Sequence, residues 1–242
     1  MRKYFLAIAV VMLVYSLPSS AGLLDDLMKG GGLTPSSSSS GLSNEQVVSG
    51  LKEALHVGTT NAVGSVSKTD GYLGNAAIKI LMPEKMQKVA DVLGKVGYQK
   101  QVDDFVTSMN RAAEKAAPQA KPIFVDALKE MSFEDARKIL GGGDTAATDY
   151  FKTKTHDRMY DAFKPIVSSR MNEVGVAQSY KAMMGKYSSI PFARTESMDL
   201  DHYVTNKALD GIYYMVAQEE KKIRTDPAAR VTDLLKTVFG KR

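Results

Sequence analysis

The sequence predicts an all-α protein: an irregular multi-helix bundle forming a single domain behind a leader and a Gly/Ser linker. Three observations predict it. Apolar residues recur at three- and four-residue spacing through most of the chain, the periodicity of one-sided helices. No stretch sustains alternate-residue patterning and no Asn-Gly hairpin signal occurs. The spacing of the segments matches no known helical repeat, so the bundle is expected to be irregular.

Residues 1–21 carry Arg2 and Lys3, an apolar run from Tyr4 to Leu17 and a small-residue exit, the layout of a secretory signal peptide cleaved near Ala21. The run is shorter than the roughly 20 residues a membrane span needs, and no cysteine stands at the exit to carry a lipid. The expectation is a periplasmic or secreted protein whose mature chain has no transmembrane anchor. Residues 22–29 form a short amphipathic helix with Leu23, Leu24, Leu27 and Met28 on one side, and residues 30–42 a flexible Gly/Ser linker.

The helical domain is expected over 43–242. Ser43 and Gln46 make a capping box for a helix running to about Lys68, in which Gly58 and several alanines suggest a close helix–helix approach. Asn75 is expected to cap a short helix, and Pro83 to begin another. Val102, Phe105, Met109, Ala112, Ala113 and Ala116 stripe a further helix. Pro118 and Pro122 punctuate the stretch after it, and Ser132 begins the next element. Gly141 is expected to end that element, at a position that tolerates a left-handed backbone, and Asp144 or Thr145 to cap its successor. That successor carries Phe151, Met159, Phe163 and Val167 and should be kinked or divided by Pro165. Helices over Val176 to Tyr187, from Asp199 or Asp201 to about Arg224, and after Asp226 complete the pattern.

The chain has 242 residues, no Cys, and 32 basic against 27 acidic residues; without Arg2 and Lys3 the count is 30 against 27, or +3. That balance is too weak to argue for nucleic acid. The missing cysteines exclude disulfides, thiolate catalysis and Cys-based metal sites.

The stretch "ILGGGDTAATDYF" (139–151) invites a phosphate-loop reading, but a P-loop needs Lys and Ser/Thr after its last glycine, whereas Asp144 follows Gly143. No G-x-S-x-G elbow, H-E-x-x-H pair, EF-hand spacing or cofactor motif occurs, so no catalytic residue, metal or cofactor is assigned. His56, His156 and His202 are the three histidines; neighbours on a helix point about 100° apart, so His156–Asp157 and Asp201–His202 are not expected to form dyads. The candidate functional polar residues are Asp144, Thr145, Thr148 and Asp149, then Asn110, Arg111 and Glu114 of "NRAAEKA", then Asp199, Asp201 and His202. Asn110 and Glu114 share one face: either it is solvated, with an Arg111–Glu114 pair, or it is recessed against a neighbouring helix.

The segments "LKEALHVGTTNAV", "GYLGNAAIKILMP", "NRAAEKA", "ILGGGDTAATDYF" and "LDHYVTNKALDGIYYMVAQEEKKIRTDPAARVTDLLKTVF" together resemble the domain of unknown function 4197 family of exported or lipid-anchored bacterial helical proteins, over Ser43 to the C-terminus. The resemblance implies a helical fold and export, and no activity or catalytic residue. The chain lacks the cysteine of the family's lipoproteins. The functional expectation is a non-enzymatic cell-envelope protein binding an apolar ligand or a protein partner. The alternative is an unrecognised hydrolase or metal-dependent enzyme using Asp144–Asp149 with a histidine from another helix.

Overall fold

The computed structural model describes residues 43–189 and 199–226, apart from the side chains of 174–179. The leader, the short helix over 22–29, the linker and the helix expected after Asp226 lie outside the described residues. Helices succeed one another as α1 (Asn44–Val66), α2 (Glu84–Lys95), α3 (Gln99–Ala116), a 3-10 turn (Ala117–Gln119), α4 (Ala120–Glu130), α5 (Phe133–Gly141), α6 (Ala146–Met171), α7 (Val174–Ser188) and α8 (Leu200–Thr225). No strand occurs among the described residues, and none of their helices is long and apolar enough to cross a membrane.

Local signals start several helices where the sequence places them. Ser43 and Gln46 exchange the two bonds of a capping box at α1, and Ser132 and Asp135 do the same at α5. Asp199 accepts the His202 amide at 2.9 Å and so caps α8.

Two expectations are corrected. No helix forms after Asn75: its side chain accepts the Ala77 amide in a turn, and residues 79–83 have no regular structure, side chains of α3 and α8 binding the backbone of Ile80 and Leu81. Of the two outcomes expected at Pro165, division does not occur: α6 runs continuously through it. Gly141 is the last residue of α5 as expected; the next residue, Gly142, has φ −83°, and glycine is required there for space, since a Cβ would lie 2.5 Å from that of Ala146.

The centre of the bundle is the α6–α8 pair. Three hydrogen-bonded rungs join it, Thr148 to Glu220, Thr155 to Tyr213 at 2.9 Å, and Tyr160 to His202 at 2.7 Å. Rising numbers on one helix meet falling numbers on the other, so the pair is antiparallel. Between the rungs Phe151 and Met159 are wholly buried, as is Phe163 beyond the last, and Phe124 of α4 packs edge-on against Phe151 with centroids 5.0 Å apart. α1 lies on the other side of α8. Gly58 lets it approach, with a Cβ position 3.4 Å from Glu219 and Ile223 atoms, and Asn61 donates to Glu219 at 3.1 Å.

Candidate functional site

The chain between α1 and α2, residues 67–83, forms no helix, so other groups must satisfy its backbone. α3 supplies most of them. Asn110, fully buried, accepts the Ile80 amide at 2.9 Å and donates to the Ile80 carbonyl at 2.8 Å, pairing with one residue as a neighbouring strand would. One turn later the buried Glu114 accepts the amides of Tyr72 and Leu73 at 3.1 and 3.3 Å. Arg111 neutralises that carboxylate at 2.6 Å and reaches Asp70 at 2.7 Å. Asp70 has φ 64°, a left-handed turn residue of a type that tolerates it.

The recessed reading of "NRAAEKA" is the one realised and the solvated face is not: Asn110 and Glu114 are buried, and the Arg111–Glu114 pair forms on the buried carboxylate. Arg111 lies between two carboxylates, and its guanidinium is held above its ordinary pKa by its bonds to Glu114 and then Asp70. It also borders a polar cleft of about 830 Å³ with Lys115, Thr69, Thr107 and Arg170.

α8 anchors the same segment from the opposite side. The wholly buried Tyr72 donates its hydroxyl to the Ala208 carbonyl at 2.6 Å, and Tyr203 donates to the Leu81 carbonyl at 3.0 Å. Burial, then Glu114 and Asp210, push the Tyr72 phenol well above its ordinary pKa, so it stays a neutral donor. Its ring sits where a side chain at Gly211 would be: a Cβ there would lie 2.5 Å from Tyr72 Cε1.

Between this stapled segment and α8 runs a groove of about 640 Å³. Ile78, Met82, Pro83 and Gly211 line it, while Leu81 and Tyr214 stand at its edge, 57% and 43% exposed. Of four exposed large apolar side chains among the described residues, these two share one groove. Lys79, Lys85 and Lys207 surround it, with Glu84 and Asp210.

The acidic stretch 144–149 is built differently. Thr145 stands at the N-cap position of α6 but its side chain caps nothing; its hydroxyl lies 3.2 Å from Asp149 in an exposed i,i+4 contact. The expected cap by Asp144 or Thr145 is replaced from across the bundle. The buried Glu220 of α8 accepts the amides of Ala147 and Thr148 and the Thr148 hydroxyl, each at 2.9 Å. Arg224 holds the same carboxylate with two bonds of 3.0 and 2.8 Å and donates to the Ile139 carbonyl at the end of α5. A carboxylate with an adjacent guanidinium meets the unpaired amides and the dipole of α6 better than an exposed hydroxyl does.

His156 does meet its neighbour, correcting the sequence argument: its Nδ1 lies 3.0 Å from Asp157 because rotation about the side-chain bonds offsets the 100° step, at the surface. His202 Nδ1 lies 2.7 Å from the Tyr160 hydroxyl. Along α6, Asp149 is seven residues from His156 and eleven from Tyr160, about 10 and 16 Å of helix axis. Direct proton transfer needs roughly 3 Å, so neither histidine is positioned to serve Asp144–Asp149. Asp199 is used in the α8 cap, and Asp201 lies in the first turn of that helix. Among the described residues no group of three His, Asp or Glu side chains could hold a metal ion.

Sequence reasoning missed Glu220, Arg224, Tyr72 and the groove residues. Only the i,i+4 spacing of Glu220 and Arg224 signals a pair.

No curated protein matches the chain, and no solved structure matches it. One family model, described as "Protein of unknown function (DUF4197)", matches residues 41–240. That match spans all of α1 to α8, and the chain belongs to the DUF4197 family.

Proposed function

We propose that this is a non-enzymatic binding protein of the cell envelope that holds an apolar ligand in the groove between residues 77–87 and α8. The observation that carries the reading is the pair Leu81 and Tyr214. Two large apolar side chains face solvent across one concave surface, where the hydrophobic effect favours covering them. The frame favours binding as well. Asn110, Tyr72 and Tyr203 fix the groove wall by side-chain bonds, so a ligand meets a surface that is already ordered. In this reading Asn110, Arg111 and Glu114 are positioning residues. The charged start, apolar run and small-residue exit of residues 1–21 support export.

The test is native mass spectrometry of the protein recovered from its own envelope fraction, beside a Leu81→Ser/Tyr214→Ser variant. The expected result is an added mass that the variant loses. A bare protein in both samples sinks the reading, and an added mass that survives the double substitution moves the site elsewhere. An added polypeptide lost on substitution identifies a protein partner as the occupant.

A further inference from the structure

We infer that the occupant of this groove is a single-chain amphiphile with an anionic head, its tail along Leu81 and Tyr214 and its head among the surrounding lysines. The inference rests on the binding reading above and adds the ligand's chemistry.

The tail is set by the apolar lining. Ile78, Met82 and Pro83 are buried beneath the exposed edge of Leu81, and Gly211 leaves the α8 side low because Tyr72 occupies the place of a side chain. Tyr203 and Tyr214, both lining the groove, are eleven residues apart on α8, about 16 Å. An extended chain of a dozen carbons has a similar length, and the groove volume lies in the range of small-molecule sites.

The head is set by charge. Lys79, Lys85 and Lys207 stand against Glu84 and Asp210, three cations to two carboxylates. Lys207 meets Asp210 only loosely, at 3.8 Å with both half exposed, a contact of little energetic weight. Lys79 is exposed and has no carboxylate partner among the described residues. An ammonium on a flexible stem can follow a head group, its methylenes covering the tail. A cationic head would be repelled by these lysines, and a neutral one would leave Lys79 without a counter-charge.

The experiment titrates the purified full chain by calorimetry with dodecanoate, dodecanol and dodecyltrimethylammonium, each below its micelle concentration. The expected order places dodecanoate about tenfold tighter than dodecyltrimethylammonium, one step on the affinity scale. Lys79→Glu with Lys207→Glu, both at exposed positions, should reverse that order; Lys79→Gln with Lys207→Gln should abolish it. Circular dichroism of each variant checks the helical fold. Equal binding of all three probes overturns the anionic head and leaves the apolar groove standing. Binding of none overturns both. Binding to phosphatidylglycerol vesicles without binding of monomeric dodecanoate overturns the free amphiphile in favour of a membrane surface.

Discussion

Glu220 and Thr148 meet through three atoms: one carboxylate oxygen of Glu220 lies 2.9 Å from both the amide nitrogen and the hydroxyl of Thr148. Helix α6 thus begins on a side chain 72 residues away in sequence. Arg224, 6% exposed at its side chain, donates to the same carboxylate and to the Ile139 carbonyl. Glu220→Ala should cost about 3–5 kcal/mol, because it takes the carboxylate from a buried guanidinium and uncaps a helix. Thr148→Val, which keeps the amide bond and loses only the hydroxyl, should cost about 1 kcal/mol. Urea denaturation of both variants checks this; equal small losses would show that the carboxylate is not the cap.

The pairing of Asn110 with Ile80 predicts a local effect. Asn110→Leu should cost about 1–3 kcal/mol by leaving the buried Ile80 amide and carbonyl without that partner. Hydrogen exchange should accelerate most at Ile80 and less in α6. A uniform acceleration would mean that Asn110 supports the whole bundle rather than this segment.

Two glycines predict opposite signs. Gly211→Ala places a Cβ 2.5 Å from the Tyr72 ring and should cost about 1–3 kcal/mol by overpacking. Gly64→Ala, in α1 with nothing within 4 Å of its Cβ position, should stabilise by about 1 kcal/mol through helix propensity. Midpoints of chemical denaturation separate the two.

Burial pushes the phenols of Tyr213 and Tyr150 up to about 12. In the unfolded chain they ionise near the ordinary value of about 10. Between those values the unfolded state binds fewer protons than the folded one, so stability falls as pH rises. The contribution is complete below about pH 10 and disappears as pH climbs through about 12. Denaturation curves from about pH 8 to about pH 11.5 should show that decline, with a shallower slope in Tyr213→Phe. An unchanged slope in that variant would remove Tyr213 from the account.

Asp144 and Asp149 carry little in the observed arrangement. Asp144→Ala should alter stability by less than about 0.5 kcal/mol. Asp149→Ala, in the first turn of α6, should lose about 0.3–1 kcal/mol of dipole interaction. Thermal unfolding measures both, and a larger loss at Asp144 would reveal a structural role beyond an exposed joint.

The features legible in the sequence are local. Ser43 with Gln46 and Ser132 with Asp135 act across three residues, so their spacing suffices to read them. Asn110 and Glu114 are legible as one polar face, but their targets, 30 and 42 residues away, are not. "AAIKIL" has good helix formers and reads as helix; the side chains of Asn110 and Tyr203 bind the backbone of Ile80 and Leu81, and tertiary bonds override propensity. The groove is illegible for a related reason: Leu81 and Tyr214 look like any other apolar positions until the fold leaves both at the surface.

Gly141, Gly142 and Gly143 join two helices whose facing ends are gripped by one residue pair, Arg224 on Ile139 and Glu220 on Ala147 and Thr148. The angle between α5 and α6 is thereby set by a clamp standing outside the covalent connection. Such a joint is free to vary in length: residues inserted between Gly142 and Gly143 would add only the slow, logarithmic entropy of a longer loop. A run of three glycines with little backbone preference of its own is thus a place where a tag or label can be introduced without moving the helices it connects.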